Sequence, residues 1–181
     1  MWWARLLNVI SGLLSGGAAA GGGTSYESIA TVTVGSGGAS TITFSSIPST
    51  YKHLQIRGFS TYASNENVYM KPNGNAGTKG HQLQGDGASA VADYFNAIPI
   101  YSSRTTTGKY VFITDVLDYA STTKNKTFRS LAGGDDNGAG RVSLNSGFYD
   151  NTAAISSIDI VLSSGGSFTQ YSSFALYGIK G

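Results

Sequence analysis

A chain of 181 residues has room for one domain and an appendage, and a domain of roughly 150 residues buries about 70% of the surface its unfolded chain exposes. Only 12% of residues are charged, the net charge is +2, and the 12 Lys and Arg form neither a basic run nor a helical stripe, which argues against nucleic acid as a partner. With no cysteine, disulfides and thiolate metal sites are excluded, so stability rests on burial, backbone ladders and subunit contacts.

The first predicted element is an apolar helix over 1–15. At 3.6 residues per turn Arg5, Asn8, Gly12 and Ser15 form one narrow stripe. Trp2, Trp3, Leu6, Leu7, Val9, Ile10, Leu13 and Leu14 then occupy most of the circumference. Burying one such side chain is worth about 1.5–3 kcal/mol, so together they offer a gross gain on the order of 10–20 kcal/mol before ordering costs. These residues are read as an assembly anchor; the alternative folds the helix back onto its own domain. Arg5, the stretch Leu6 to Leu14 and Ala18-Ala19-Ala20 also imitate a secretory signal, although Asn8, Ser11 and Gly12 interrupt it. No membrane span is expected, because a span needs about 20 consecutive apolar residues.

Residues 16–25, GGAAAGGGTS, carry no hydrophobic period and read as a flexible linker to a domain over 26–181. From Tyr26 the period becomes two. Ala30-Val32-Val34, Ile42-Phe44, Leu54-Ile56 and Val68-Met70 alternate with polar neighbours, whereas Tyr110-Val111-Phe112-Ile113 is apolar on both faces. Further strands are predicted at 127–131, 141–144, 155–162 and 174–179, about nine in all. Turn signals stand at 35–38, 72–75, 85–87, 133–138 and 163–166. This spacing predicts an all-β fold, a single antiparallel β-sandwich, with a jelly roll as the first topology and an Ig-like or Greek-key sandwich as the second. The stretch 85–107 fits no strand pattern and is expected to be a long loop.

Three stretches carry a resemblance: SYESIATVTVGSGGASTITFSSIPSTYKHLQIRG (25–58), VLDYASTTKNKTFRSLAGGDDNG (116–138) and QYSSFALYGIK (170–180). They resemble a group of small β-rich virion structural proteins of tailed bacteriophages, over Tyr26 to Lys180. The shared stretches are strand and turn residues and contain no reaction motif. The resemblance implies a non-enzymatic virion component: a tail- or baseplate-associated, fibre-like appendage, anchored by the N-terminal arm and presenting a β domain for host-surface attachment. A capsid decoration (cement) protein is the alternative, and a glycan-binding module the second alternative. Other virion proteins are the implied partners of the arm, the tail or capsid exterior is the implied location, and a homotrimer is the first expectation for the oligomer.

The residues themselves offer little catalytic equipment. Only His53 and His81 could serve as an imidazole base. His53 shares a strand face with Gln55 and Arg57, opposite Leu54 and Ile56, which reads as a solvent face; His81 follows Thr78-Lys79-Gly80 in a turn, without a GxSxG neighbour. The 10 acids are scattered, so a pair suited to glycoside hydrolysis would be coincidence. Asp135-Asp136-Asn137-Gly138 lacks the spaced ligands and terminal glutamate of an EF-hand and reads as a turn. No catalytic residue, cofactor or metal is expected. Sugar recognition is the more serious proposal, since 11 tyrosines and 2 tryptophans present apolar area with a polar handle. Tyr94, Phe95, Tyr101 and Arg104 gather in the long loop, and Tyr149 and Asn151 follow a strand; these are the expected contacts to a host-surface glycan or receptor.

Overall fold

The computed structural model describes residues 25–63, 65–75, 79–102, 109–135 and 138–181. The expected anchor over 1–15, the linker up to residue 24, and Arg104 lie outside them. The described residues form an all-β, sandwich-like fold with no helix. In chain order the strands are β1 (Tyr26–Thr33), β2 (Thr41–Phe44), β3 (His53–Thr61), β4 (Asn67–Pro72), β5 (Lys79–Gly85), β6 (Ala90–Phe95), β7 (Ile98–Ser102), β8 (Lys109–Leu117), β9 (Lys126–Gly134), β10 (Arg141–Tyr149), β11 (Ile158–Leu162) and β12 (Ser173–Ile179).

These are 12 strands where the sequence pattern predicts about nine. The additions are β5, β6 and β7, and the last two lie in the stretch 85–107 expected to be a loop. β7 hides from the period because all five of its residues are buried and Pro99 interrupts it. Proline is tolerated there because β7 is an edge strand, paired only with β4 across a register shift at Val68/Tyr69.

All pairings are antiparallel. One sheet has the order β1-β12-β3-β8-β9-β10-β5-β6, the other β2-β11-β4-β7. Leu54 and Ile56 of β3, and Phe174 and Leu176 of β12, share one core with Ile42 of β2, Met70 of β4 and Ile158 and Ile160 of β11. The small sheet reaches far across the large one, since β7 packs against β8, β9 and β10. Close approach there requires Gly147, where a Cβ would stand 2.5 Å from Ile98, and Asn145 Nδ2 donates to the Ile100 carbonyl at 2.8 Å.

The turn at 72–75 shows how local chemistry serves this layering. Asn73 (φ 49°) and Gly74 (φ 72°) both occupy the left-handed region, and Asn75 N donates to Pro72 O at 2.9 Å, the signature of a type I′ turn. Instead of closing a hairpin it sends the chain from β4 in the small sheet towards β5 in the large one. Asn73 Oδ1 also accepts from Ser156 N at 2.9 Å, fixing the turn to the approach of β11.

Candidate functional site

Two surfaces of the large sheet stand out: an apolar outer face over β8, β9, β10 and β5, and a polar cleft beside β6. On β10 and β5 the usual alternation is inverted. Arg141, Ser143, Asn145, Gln82 and Gln84 point inward and are buried, while Val142, Leu144 and Leu83 point outward. β8 is apolar on both faces as its sequence predicts, burying Tyr110 and Phe112 and exposing Val111 and Ile113. With Leu131 of β9, the six outward aliphatic side chains are 45% to 62% exposed.

Register collects them. Ile113, Leu131, Leu144 and Leu83 lie directly opposite one another in a single row across four strands. The next row on the same face runs Phe59, Val111, Gly133, Val142, Gly85. On the other flank the row is polar: Asp115, Arg129, Ser146, His81 and Tyr94. There Arg129 Nη2 pairs with Asp115 Oδ2 at 3.0 Å. His81 is therefore a strand residue of β5, not a turn residue, and its ring meets that of Tyr94 at 5.4 Å.

The cleft has a volume of about 480 Å³ and opens where β5, β6 and β10 extend past the rim of the small sheet. Its floor is a chain of polar groups: Arg141 Nη1 donates to Gln84 Oε1, and Gln84 Nε2 donates to Asp93 Oδ2 at 2.9 Å. Phe95 and the backbone of β6 beside it border one side, and Asn65, Asn67 and Ser163 the other; the ring of Tyr94 turns to the outer face beside His81. Ser163 is fixed by buried Glu66, whose Oε2 accepts from its hydroxyl at 2.9 Å. Ser102 also lines the cleft, and its buried hydroxyl has no hydrogen-bond partner among the described residues.

The expected glycan contacts do not form one cluster. Tyr94 is 51% exposed and its hydroxyl donates to Asn96 Oδ1 at 3.0 Å; Phe95, on the other side of β6, is half-buried with its ring edge-on to Tyr69 at 6.0 Å. Tyr101 is a correction. It is fully buried, stacked on Tyr110 at 4.8 Å and bonded to the Ser60 hydroxyl, and burial together with neighbouring Tyr62 pushes its hydroxyl well above the ordinary phenol range. Tyr149 is a second correction, because it too lies in the core. Both follow from tyrosine's large apolar ring, which fills an interior whenever its hydroxyl is paired or reaches the boundary. Asn151 is exposed, but it lies beyond the end of β10 opposite to Arg141, and its Oδ1 accepts from Ala153 N at 2.7 Å as a local turn. The cleft partners Gln84, Asp93 and Arg141 are missed by sequence reasoning; the signal for them is the alternation Gln82-Leu83-Gln84 and Arg141-Val142-Ser143.

At the far end of β8, Asp118 receives Lys124 Nζ at 3.0 Å and Lys52 Nζ at 3.3 Å. These two ammonium groups, Lys124 first, hold its carboxyl below the usual carboxylate range. His53 Nδ1 accepts from the Asp118 backbone N–H at 3.0 Å, and Gln55 beside it is buried and donates to Asp115 at 2.8 Å, so this part of the β3 face is only partly a solvent face. Nearby, Lys126 is fully buried, and the three N–H groups of its ammonium are shared among the carbonyls of Ser121, Lys124, Asn151 and Thr152, which lie 2.6 to 3.3 Å from Nζ. The expected turn at 135–138 keeps Asp135 Oδ1 on Gly138 N at 2.9 Å, and Asp136 and Asn137 lie outside the described residues. Among the described residues no group of three or more His, Asp or Glu is placed to hold a metal ion, and no helix is long and apolar enough to cross a membrane.

Comparison of the chain with protein-family models, with curated proteins and with solved structures finds no match.

Proposed function

We propose that this chain is a non-enzymatic structural subunit of a tailed-phage particle, a fibre-like appendage of the tail or baseplate that offers its β domain to the host surface. The observation that carries the reading is the strand order. β1-β12-β3-β8 in one sheet and β2-β11-β4-β7 in the other are read as the two four-stranded sheets of a jelly roll, an architecture that recurs in viral capsid and lectin domains. β9, β10, β5 and β6 extend the first of these sheets. A fold does not by itself name a function, so the particle comes from the resemblance of 25–58, 116–138 and 170–180 to phage virion proteins. In this reading residues 1–15 anchor the subunit to other virion proteins, and several copies assemble together.

The cleft supplies the host-facing part of the proposal. Guanidinium, amide and carboxylate groups of Arg141, Gln84 and Asp93 suit sugar hydroxyls, and the ring of Phe95, on the same side of β6 as Asp93, suits the apolar side of a pyranose. Quantitative mass spectrometry of purified particles, with imaging to locate the chain, tests the reading. Copies on the order of tens, at the tail, are expected of a closed symmetric appendage. Hundreds of copies over the shell would replace the appendage by a decoration protein, and absence from the particle would overturn both. Phe95→Ala is expected to lower adsorption to cells at unchanged particle yield.

A further inference from the structure

We infer that the outer face of β8, β9, β10 and β5 is covered by the same face of a second copy of this chain. The inference rests on the reading of the chain as a repeated subunit and names the surface that does the repeating. Its first support is the inverted alternation. A half-buried antiparallel strand turns its apolar side to the covered face, yet β10 and β5 bury Ser143, Asn145, Gln82 and Gln84 and leave Leu144 and Leu83 half in water. The sequence of these strands is written for a sheet covered on both sides.

The glycines of the second row add an independent observation. Most strand glycines are forced by packing within the chain: a Cβ on Gly58 would stand 2.4 Å from Phe112. Gly133 and Gly85 face outward and are not forced, since a Cβ would come no closer than 3.7 Å and 3.6 Å to its neighbours. Glycine weakens a strand and is found where another backbone comes close. A second sheet lying on this face supplies the reason that the single chain lacks.

Charge and area select the occupant. Over β8, β9, β10 and β5 the two apolar rows contain no ionisable side chain; Arg57 of β3, which ends the first row opposite Ile113, lies over the rings of Tyr26 and Tyr177, and the flanking Asp115 and Arg129 are closed on each other at 3.0 Å. A charged partner gains nothing there, whereas an identical neutral face is complementary to itself about a two-fold axis. Phe59 and the six aliphatic side chains present on the order of 600 Å² of apolar surface. That is the upper end of the largest patch on an ordinary monomer, ~300–600 Å², and close to the ~800 Å² each partner gives to a standard interface. Facing sheets about 10 Å apart would interleave the two leucine rows.

Sedimentation of the full chain over a concentration series tests the inference. A reversible mass of two copies, or a multiple of two, is expected; a mass of three copies, as the resemblance implies, would overturn the two-fold pairing. Leu131→Glu should raise the dissociation constant roughly tenfold or more, with β-sheet circular dichroism unchanged because the position faces out. Gly133→Ala is the second probe: the single chain has room for a Cβ, so it should fold normally and associate at least ~10-fold more weakly. A chain that remains a single copy at all concentrations would overturn the inference, as would an assembly that survives both substitutions. Neither measurement involves a phage particle, so failure here leaves the virion reading intact, and absence from particles leaves the interface intact.

Discussion

The two halves of the eight-stranded sheet, joined at β8, obey opposite rules. At β3 and β12 the inward Leu54, Ile56, Phe174 and Leu176 are fully buried beneath the small sheet, and the outward Arg57 lies over the rings of Tyr26 and Tyr177 at 5.3 Å and 5.0 Å. At β10 and β5 the polar side chains are inside and the leucines outside. Period two establishes only that a strand has two unlike faces. Which face is covered depends on what stands above it: the chain's own small sheet in one half and, in the inference drawn above, a second copy in the other.

This contrast can be challenged experimentally, beginning with its deepest residue. Phe174→Ala, in the self-completed half, is expected to cost about 3–5 kcal/mol in urea unfolding. In the inverted half, Gln82→Met should stabilise by about 1–2 kcal/mol, because both side-chain amide atoms of Gln82 are buried with no partner among the described residues and methionine fills similar volume. A loss of stability would mean that Gln82 is satisfied and that the interior of this half is no anomaly. Leu144→Ala, measured at concentrations where copies are apart, should cost less than ~1 kcal/mol. A penalty as large as that of Phe174→Ala would show that the outer face is already closed within one chain.

The smallest effect lies at Asp118, at the end of the joining strand. Its carboxyl is held below the usual range in the folded chain, so its contribution is complete above the unfolded value and is lost as pH falls through the lower folded value. Melting temperatures at pH 6 and pH 3 should therefore fall further apart for the native chain than for Asp118→Asn. Equal differences would remove Lys124 and Lys52 as effective partners.

The strands were legible on both sides of β8. Apolar residues mark β1 to β4 and β8 to β12, those of β9 and β10 in the inverted half included. β5 offers only Leu83, between two glutamines and flanked by glycines, and becomes a strand through pairing with β10 and β6 along its whole length. The cleft was legible only in part. Tyr94 and Phe95 are marked by residue type, but Gln84 and Asp93 of the β5–β6 hairpin meet Arg141 through pairing with β10, which is remote in sequence. Tyr101 and Tyr149 share the composition that singles out Tyr94, and only tertiary burial separates them.

Lys126 has a consequence for the environments this domain tolerates. Its single ammonium gathers four carbonyls from the loops after β8 and β10, the work often given to a captured divalent ion. Because this cation is covalently part of the chain, holding that end of the domain together calls for no ion from solution, and chelators are expected to leave it unchanged.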